Sequence, residues 1–465
     1  MLHVLIILAL ALSRLPDMTG DATWEAPFRE HAWLVIPATF SVWIVFHLYA
    51  SRVRTMMGRA GSASRIARLY RFLDAARIMS MLVLLAGVSL ARWDEAVRSL
   101  VGSSILLDEL LIASPVLLTL IFTWWSMAPI ERLMQEAQLI RKLDEGGVIT
   151  HLPTRWQSVW QHVRFSMLLV LVPLSLMIAW HDLLRLAPVW LPSQRAWITT
   201  YYEWLSWGGV AGMLLLAPWL MKALWDTVPL EASELRERIM HVCRTHRVRV
   251  TGPLVWRTYG SMVNGAILGM FWPFRYLLLT DALLERMQPS HLEAIVAHEV
   301  AHVRYRHMIW LGVVVASSAV ASGWLLELLA AQLPVTHSLL SPIVASVIAF
   351  ASAIAAFIFA SQRFEWQADA FSATHLAKEQ GAATVSDTAV TTVASTLGEV
   401  AYANGMSIDR ISIRHGSIAT RQRKVRALAG LPLDRLPIDR TVRVIKITSF
   451  LLLTLGIAAM FVPWG

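Results

Sequence analysis

Long uncharged runs decide what this chain can fold into. Residues 32–50 (AWLVIPATFSVWIVFHLYA), 110–127, 204–221, 308–326, 339–360 and 447–464 each supply an unbroken apolar stretch. Crossing the hydrocarbon core of a bilayer takes roughly 17 to 25 helical residues, so each run is long enough to span. Two shorter runs, 78–91 and 165–180, are flanked by Arg77, Arg92 and Arg164. Long arginine stems snorkel to the interface and extend the usable length, so both are read as spans. Residues 1–14 (MLHVLIILALALSR) are ambiguous between a short span and a signal-like anchor. With no basic leading region and no A-x-A-like cleavage site in SRLPDMTGDATW, a retained helix is expected. The fold class that follows is mainly α, a polytopic helical membrane protein with about 8 or 9 spans. A content of 56% hydrophobic and 16% charged residues over 465 positions agrees with that and excludes an ordinary soluble enzyme.

Arginine placement gives the orientation. Residues 51–77 carry Arg52, Arg54, Arg59, Arg65, Arg68, Arg71 and Arg77 against Asp74 alone, which marks a cytoplasmic loop. Positive-inside sorting also accounts for the net charge of +9 without a nucleic-acid partner, and none is expected. Counting crossings from that loop puts residues 226–307 in the cytoplasm, and the hairpin of runs 308–326 and 339–360 returns 361–446 to the same side. The two polar segments can therefore meet. Cys243 is the one cysteine, which excludes an intramolecular disulfide and a multi-cysteine metal site. Histidines and carboxylates must carry any metal chemistry.

Such residues cluster in AHEVAHVRYRH, residues 297–307. His298 and His302 are four apart, and on a helix i and i+4 share a face, so two imidazoles can grip one metal ion with Glu299 beside them. Ile295, Val296 and Val303 supply an apolar stripe while Glu293, Arg304 and Arg306 supply a wet one, as in an amphipathic helix outside the membrane. The spacing alone is not diagnostic, and a third ligand has to be found. The metzincin positions for a glycine and a third histidine hold Tyr305 and Met308, and His307 is read as an interfacial or supporting histidine. Downstream, SQRFEWQADAFSATH places Glu365 and Asp369 four apart among Phe364, Trp366, Ala368, Ala370 and Phe371. Carboxylates in such surroundings are costly to bury without a partner. A metal held with the two histidines is one partner; solvation on a helix leaving the membrane is the alternative.

Taken together, these motifs resemble the membrane-bound zinc metallopeptidases that include HtpX and the Ste-type CAAX prenyl protease, gluzincins with HExxH plus ExxAD. The likeness covers roughly residues 245–425. Beyond HExxH and E-x-x-A-D (Glu365, Ala368, Asp369), it includes an N-x4-G element at Asn264 and Gly269 and an H-x-S-x-x-x-R segment at His415, Ser417 and Arg421. Gly265 and Gly416 depart from the family's commoner alanine and proline. The resemblance implies one Zn2+ per chain on His298, His302 and Glu365, with Glu299 as general base and Asp369 orienting a ligand histidine. It places Asn264, His415 and Arg421 near the substrate or the transition-state oxygen.

The expected organisation is an N-terminal membrane region at 1–225 of about six spans and a small α+β peptidase unit in two parts. The parts are 226–307 with HExxH and 361–446 with ExxAD, split by the hairpin 308–360 and followed by a C-terminal span at 447–465. The implied activity is hydrolysis of peptide bonds in membrane or membrane-associated proteins at the cytoplasmic face, by metal-activated water. The segments RVRVTGPLVW (247–256) and RYLLLT alternate like strands, and such an edge could bind an extended substrate. The partners are then a protein or peptide substrate and the lipid bilayer, and an arginine-over-lysine bias points to a bacterial inner membrane. Competing classes fit less well. A transporter would carry more ionisable residues inside its spans, an intramembrane protease would have its HExxH within an apolar run, and a silent scaffold or regulatory protein of the same fold would not need Glu299.

Overall fold

The structure is a computed structural model that describes residues 28–57, 62–102, 104–144, 152–260, 262–332, 340–412 and 414–459. The expected span at residues 1–14 and the end of the last run, 460–464, lie outside the described residues. Two compact units divide the chain between Trp225 and Asp226. Among the described residues, eight helices are long and apolar enough to cross a membrane, five in the first unit and three in the second.

In the first unit the helices are α1 (Val35–Thr55), α2 (Ser62–Ala91), α3 (Trp93–Val101), α4 (Leu107–Asp144), α5 (Arg155–His162), α6 (Leu168–Trp190) and α7 (Arg195–Leu224). Leu84, Val88, Ile112, Val116, Leu120 and Trp124 form its core. Many large apolar side chains face outward instead, among them Leu82, Leu118, Trp204, Trp207 and Leu214. On helices long and apolar enough to span, such a surface suits lipid. The short run at 165–180 belongs to a longer helical stretch, Arg155–Trp190, that starts at a capping box on Thr154 and passes a π turn at Val163–Met167. Arg164 does not simply reach for the interface: its guanidinium donates to the Leu224 carbonyl at the end of α7.

The second unit begins with β1 (Thr227–Pro229), α8 (Glu234–Thr245), β2 (Pro253–Trp256), β3 (Gly265–Leu268) and β4 (Tyr276–Thr280). It continues with α9 (Asp281–Arg286), α10 (Pro289–Arg304), α11 (His307–Gln332), α12 (Leu340–Glu379), α13 (Asp387–Ala403), α14 (Ile418–Arg426) and α15 (Pro437–Ala459). The sheet order is β1-β2-β4-β3, with β2 parallel to β4 and the other pairs antiparallel. This corrects one expectation from the sequence. Of residues 247–256 only the last four form a strand, and both β2 and β4 lie inside the sheet, so neither offers an edge to a substrate. The edge beside the HExxH helix is β3.

Leu277, Leu279, Ile239, Val242, Cys243, Val296 and Val300 pack the sheet against α8 and α10. Helices α11, α12 and α15 meet at Val314, Ala360, Phe364 and Val442. Helix α12 runs without a break from its apolar half into its polar half, so Glu365 and Asp369 ride on the same helix as a membrane span. Helix α15 likewise starts ahead of its apolar run, at Pro437. Along the polar half of α12, α10 lies antiparallel in steady register. His375 meets Glu293 at 3.2 Å, Ser372 donates to the Ala294 carbonyl at 2.8 Å, and Asp369 meets His298 at 2.9 Å.

Candidate active site

The register between α10 and α12 brings three donor atoms to one point. His298 Nε2 lies 3.2 Å from His302 Nε2 and 3.5 Å from Glu365 Oε2, and His302 Nε2 lies 3.7 Å from Glu365 Oε1. A tetrahedral zinc centre with bonds near 2.1 Å has ligand separations of about 3.4 Å. The three residues therefore fit a metal ion, and they are the group among the described residues whose ligand atoms converge in this way.

Charge supports the same conclusion. Glu299, Glu365 and Asp369 are three carboxylates in the buried site, and Arg421 is the one buried guanidinium among them. With neutral imidazoles this leaves two uncompensated negative charges, which a dication would balance. Burial alone would lower the His298 pKa, but the carboxylates of Asp369 and Glu365 outweigh it and hold the imidazole up to about 10. Groups that favour a proton on His298 Nε2 favour a cation there too, so metal binding should release a proton. Burial keeps His302 well below its ordinary value, neutral and ready to ligate.

The far nitrogens of both histidines are tied down. Asp369 Oδ1 accepts from His298 Nδ1 at 2.9 Å, which leaves the lone pair on Nε2. The support for His302 is longer. Asp439 can only accept, so Gln367 points its amide nitrogen at Asp439 Oδ1 (2.6 Å) and its oxygen at His307 Nε2 (2.9 Å). His307 thus donates from Nε2 and accepts at Nδ1, where His302 Nδ1 lies 3.0 Å away. His302 must donate there, and its Nε2 lone pair turns to the metal position. Phe364 stacks on the His307 ring at 4.6 Å and 4°. The sequence marked His307 as a supporting residue but gave no sign of Gln367 or Asp439. Gln367→Met, which keeps volume and removes the amide, should weaken zinc binding by roughly 10 to 100-fold. Competition with a chelator measures it, and unchanged affinity would show that the relay does not orient His302.

Glu299 faces the sheet edge. The Ile267 N–H of β3 donates to its Oε2 at 3.3 Å, and burial raises its pKa above the usual carboxylate value. Gly265 explains how β3 comes so close: a Cβ there would stand 2.9 Å from Ile295 Cγ2 on α10. Asn264, just before β3, is exposed; its backbone pairs with Thr280, and no hydrogen bond among the described residues ties its side chain to the metal cluster. His415 sits on the open side of the cluster, with Nδ1 2.9 Å from Glu365 Oε1 and a side chain 43% exposed. Arg421 lies on the other side, buried. It donates to both oxygens of Asp369 at 2.8 and 2.7 Å and approaches Glu365 Oε2 at 3.3 Å.

A helical membrane protein with this constellation beside its spans is a membrane metallopeptidase. Residues 229–426 match the family model described as Peptidase family M48. No curated protein matches the chain. Among solved structures, the crystal structure of S. mikatae Ste24p is similar over 85% of this chain and 98% of that one, with a TM-score of 0.42 and 13% sequence identity.

Proposed function

We propose that the protein is a zinc-dependent endopeptidase of a bacterial inner membrane that cuts membrane or membrane-associated polypeptides at the cytoplasmic face. The observation that carries this reading is the convergence of His298, His302 and Glu365 with Glu299 at the edge of β3. One zinc ion on those three residues would supply a Lewis acid for the scissile carbonyl and for water. Glu299 takes the proton of the attacking water on its carboxylate and returns it to the leaving amine, and its burial makes it a stronger base for the first of these transfers. An extended substrate lies along β3, which has no strand on its outer side among the described residues, so main-chain hydrogen bonds, one of them to the Ile267 N–H that otherwise bonds Glu299, align it past Glu299. His415, half-exposed beside Glu365, gives its Nδ1–H to Glu365 Oε1 and would donate to the carbonyl oxygen from Nε2 as an imidazolium. Arg421 acts from behind, fixing Glu365 and Asp369 rather than touching substrate. Asn264 stands at the entry to the substrate edge.

Orientation rests on the arginine-rich loop at 51–77. Cys243 cannot report on it: the side chain is 1% exposed, and burial pushes the thiol up to about 11. The native chain is therefore silent to thiol reagents and serves as its own background. Glu237→Cys, exposed on α8, should resist an impermeant maleimide in intact cells and react in inverted vesicles. Thr23→Cys should do the reverse. Labelling of Glu237→Cys from outside would move the site to the other compartment.

A further inference from the structure

The loop between β3 and β4, residues 270–274, reads MFWPF and contains no charge. Phe271 and Trp272 at its tip are 50% and 57% exposed. The loop is built, not slack. Arg275 donates to the carbonyls of Gly269, at 3.3 Å, of Met270, and of Arg249, at 3.2 Å, and Thr251 donates to Pro273. At its neck Gly269 has φ +93°, and a Cβ there would collide with the Phe274 carbonyl.

Its height follows from registers within the second unit. Helix α12 is continuous, and its apolar half, with exposed Ile348, Phe350, Ile354 and Phe359, stands in lipid. Antiparallel to its polar half, α10 therefore runs toward the membrane, and the next residues, Met308 and Ile309 on α11, are exposed apolar side chains of a span. On α15, Lys446 donates to the Tyr305 carbonyl at 2.8 Å, so three helices mark one boundary beside Tyr305 and His307. Strand β3 climbs along α10 in the same direction: Gly265 touches Ile295 and Ile267 bonds Glu299. Strand β3 ends at Leu268 and the chain bends at Gly269, so the four residues from Ile267 to Phe271 rise by less than the about 13 Å of a fully extended stretch. The helix needs only about 7.5 Å from Glu299 to Arg304. The tip is thus within reach of the level where α10 ends and the bilayer begins.

We infer that Phe271 and Trp272 insert into the headgroup–acyl boundary of the bilayer and hold the substrate edge of β3 against the membrane surface. Aromatic rings are favoured at that depth, and exposed Arg249, whose carbonyl accepts from Arg275 at the neck of the loop, suits anionic headgroups. Combined with the peptidase reading, on which this second step rests, the site takes polypeptides whose scissile bond lies a few residues from a membrane-embedded segment.

The insertion is tested without catalysis. Trp272→Cys and, as a control, Glu237→Cys carry an NBD label in proteoliposomes of phosphatidylethanolamine and phosphatidylglycerol. The label at 272 should be quenched by lipid bearing a nitroxide high on the acyl chain and shielded from iodide, with the opposite result at 237. Iodide quenching at 272, or shielding from both quenchers because protein covers the loop, would overturn the proposal. The substrate step is tested with Phe271→Ser/Trp272→Ser. Its KM for a membrane-anchored peptide should rise roughly tenfold, about 1.4 kcal/mol, with kcat unchanged, while the same peptide free in solution is cut as by the parent. Equal losses on both peptides would show that the loop serves folding only. Failure of the parent to cut either peptide would instead refute the peptidase reading and leave the depth result standing.

Discussion

Glu299→Gln should bind one zinc per chain and lose peptidase activity by roughly 10² to 10⁴-fold or more, the range general acid–base groups contribute. The amide keeps the shape of the carboxylate and can still face the Ile267 N–H through its oxygen. None of the three converging ligand atoms belongs to Glu299, so metal content should stay. What disappears is the proton acceptor for water, and no other carboxylate can replace it. Glu365 is turned to the metal position and Asp369 is occupied by His298 and Arg421. Turnover near the parental rate would refute the assignment of the base. Loss of zinc together with activity would show that Glu299 is a ligand.

Glu365→Ala should abolish tight zinc binding and activity together. Two imidazoles alone do not complete a catalytic site of three protein ligands. The substitution also removes one of the carboxylates that face Arg421 and tilts the local charge against a dication. Asp369 needs a gentler change. Asp369→Ala would leave the buried Arg421 guanidinium its 3.3 Å contact with Glu365 but remove its two-pronged carboxylate partner, and breaking a buried ion pair costs up to about 3 to 5 kcal/mol. Asp369→Asn keeps an oxygen for His298 and should weaken zinc by roughly 10 to 100-fold without abolishing it. Metal analysis after dialysis separates the cases. A fully loaded Glu365→Ala protein would place the third ligand elsewhere.

The membrane helices were legible because hydropathy is a local property. The run at 308–326 says span with no knowledge of its neighbours, and charged ends such as Arg155 set the true length of a helix only once packing is known. Within the site, His298, Glu299 and His302 were legible because a helix of fixed pitch turns their spacing into a shared face. Glu365 and Asp369 could be found because carboxylates among Phe364, Trp366 and Phe371 demand a partner. Pairing was not legible. Alternation at 247–256 resembles an edge strand, yet which strand ends a sheet depends on partners distant in sequence, and β1 covers β2 on that side. The Asp439–Gln367–His307 relay has the same character, since Asp439 reaches Gln367 from another helix. Arg421 reads in sequence as one member of a basic run, RQRKVR, and only the fold turns it inward onto Asp369 and Glu365.

Zinc titration of the chelator-stripped protein, read as cleavage of a soluble peptide, tests the central claim most directly. Activity should be absent in the stripped protein, rise in proportion to added zinc and level off at one equivalent per chain, with no rise in Glu299→Gln. Cleavage that persists without metal, or that saturates at a different stoichiometry, would contradict a single site formed by His298, His302 and Glu365.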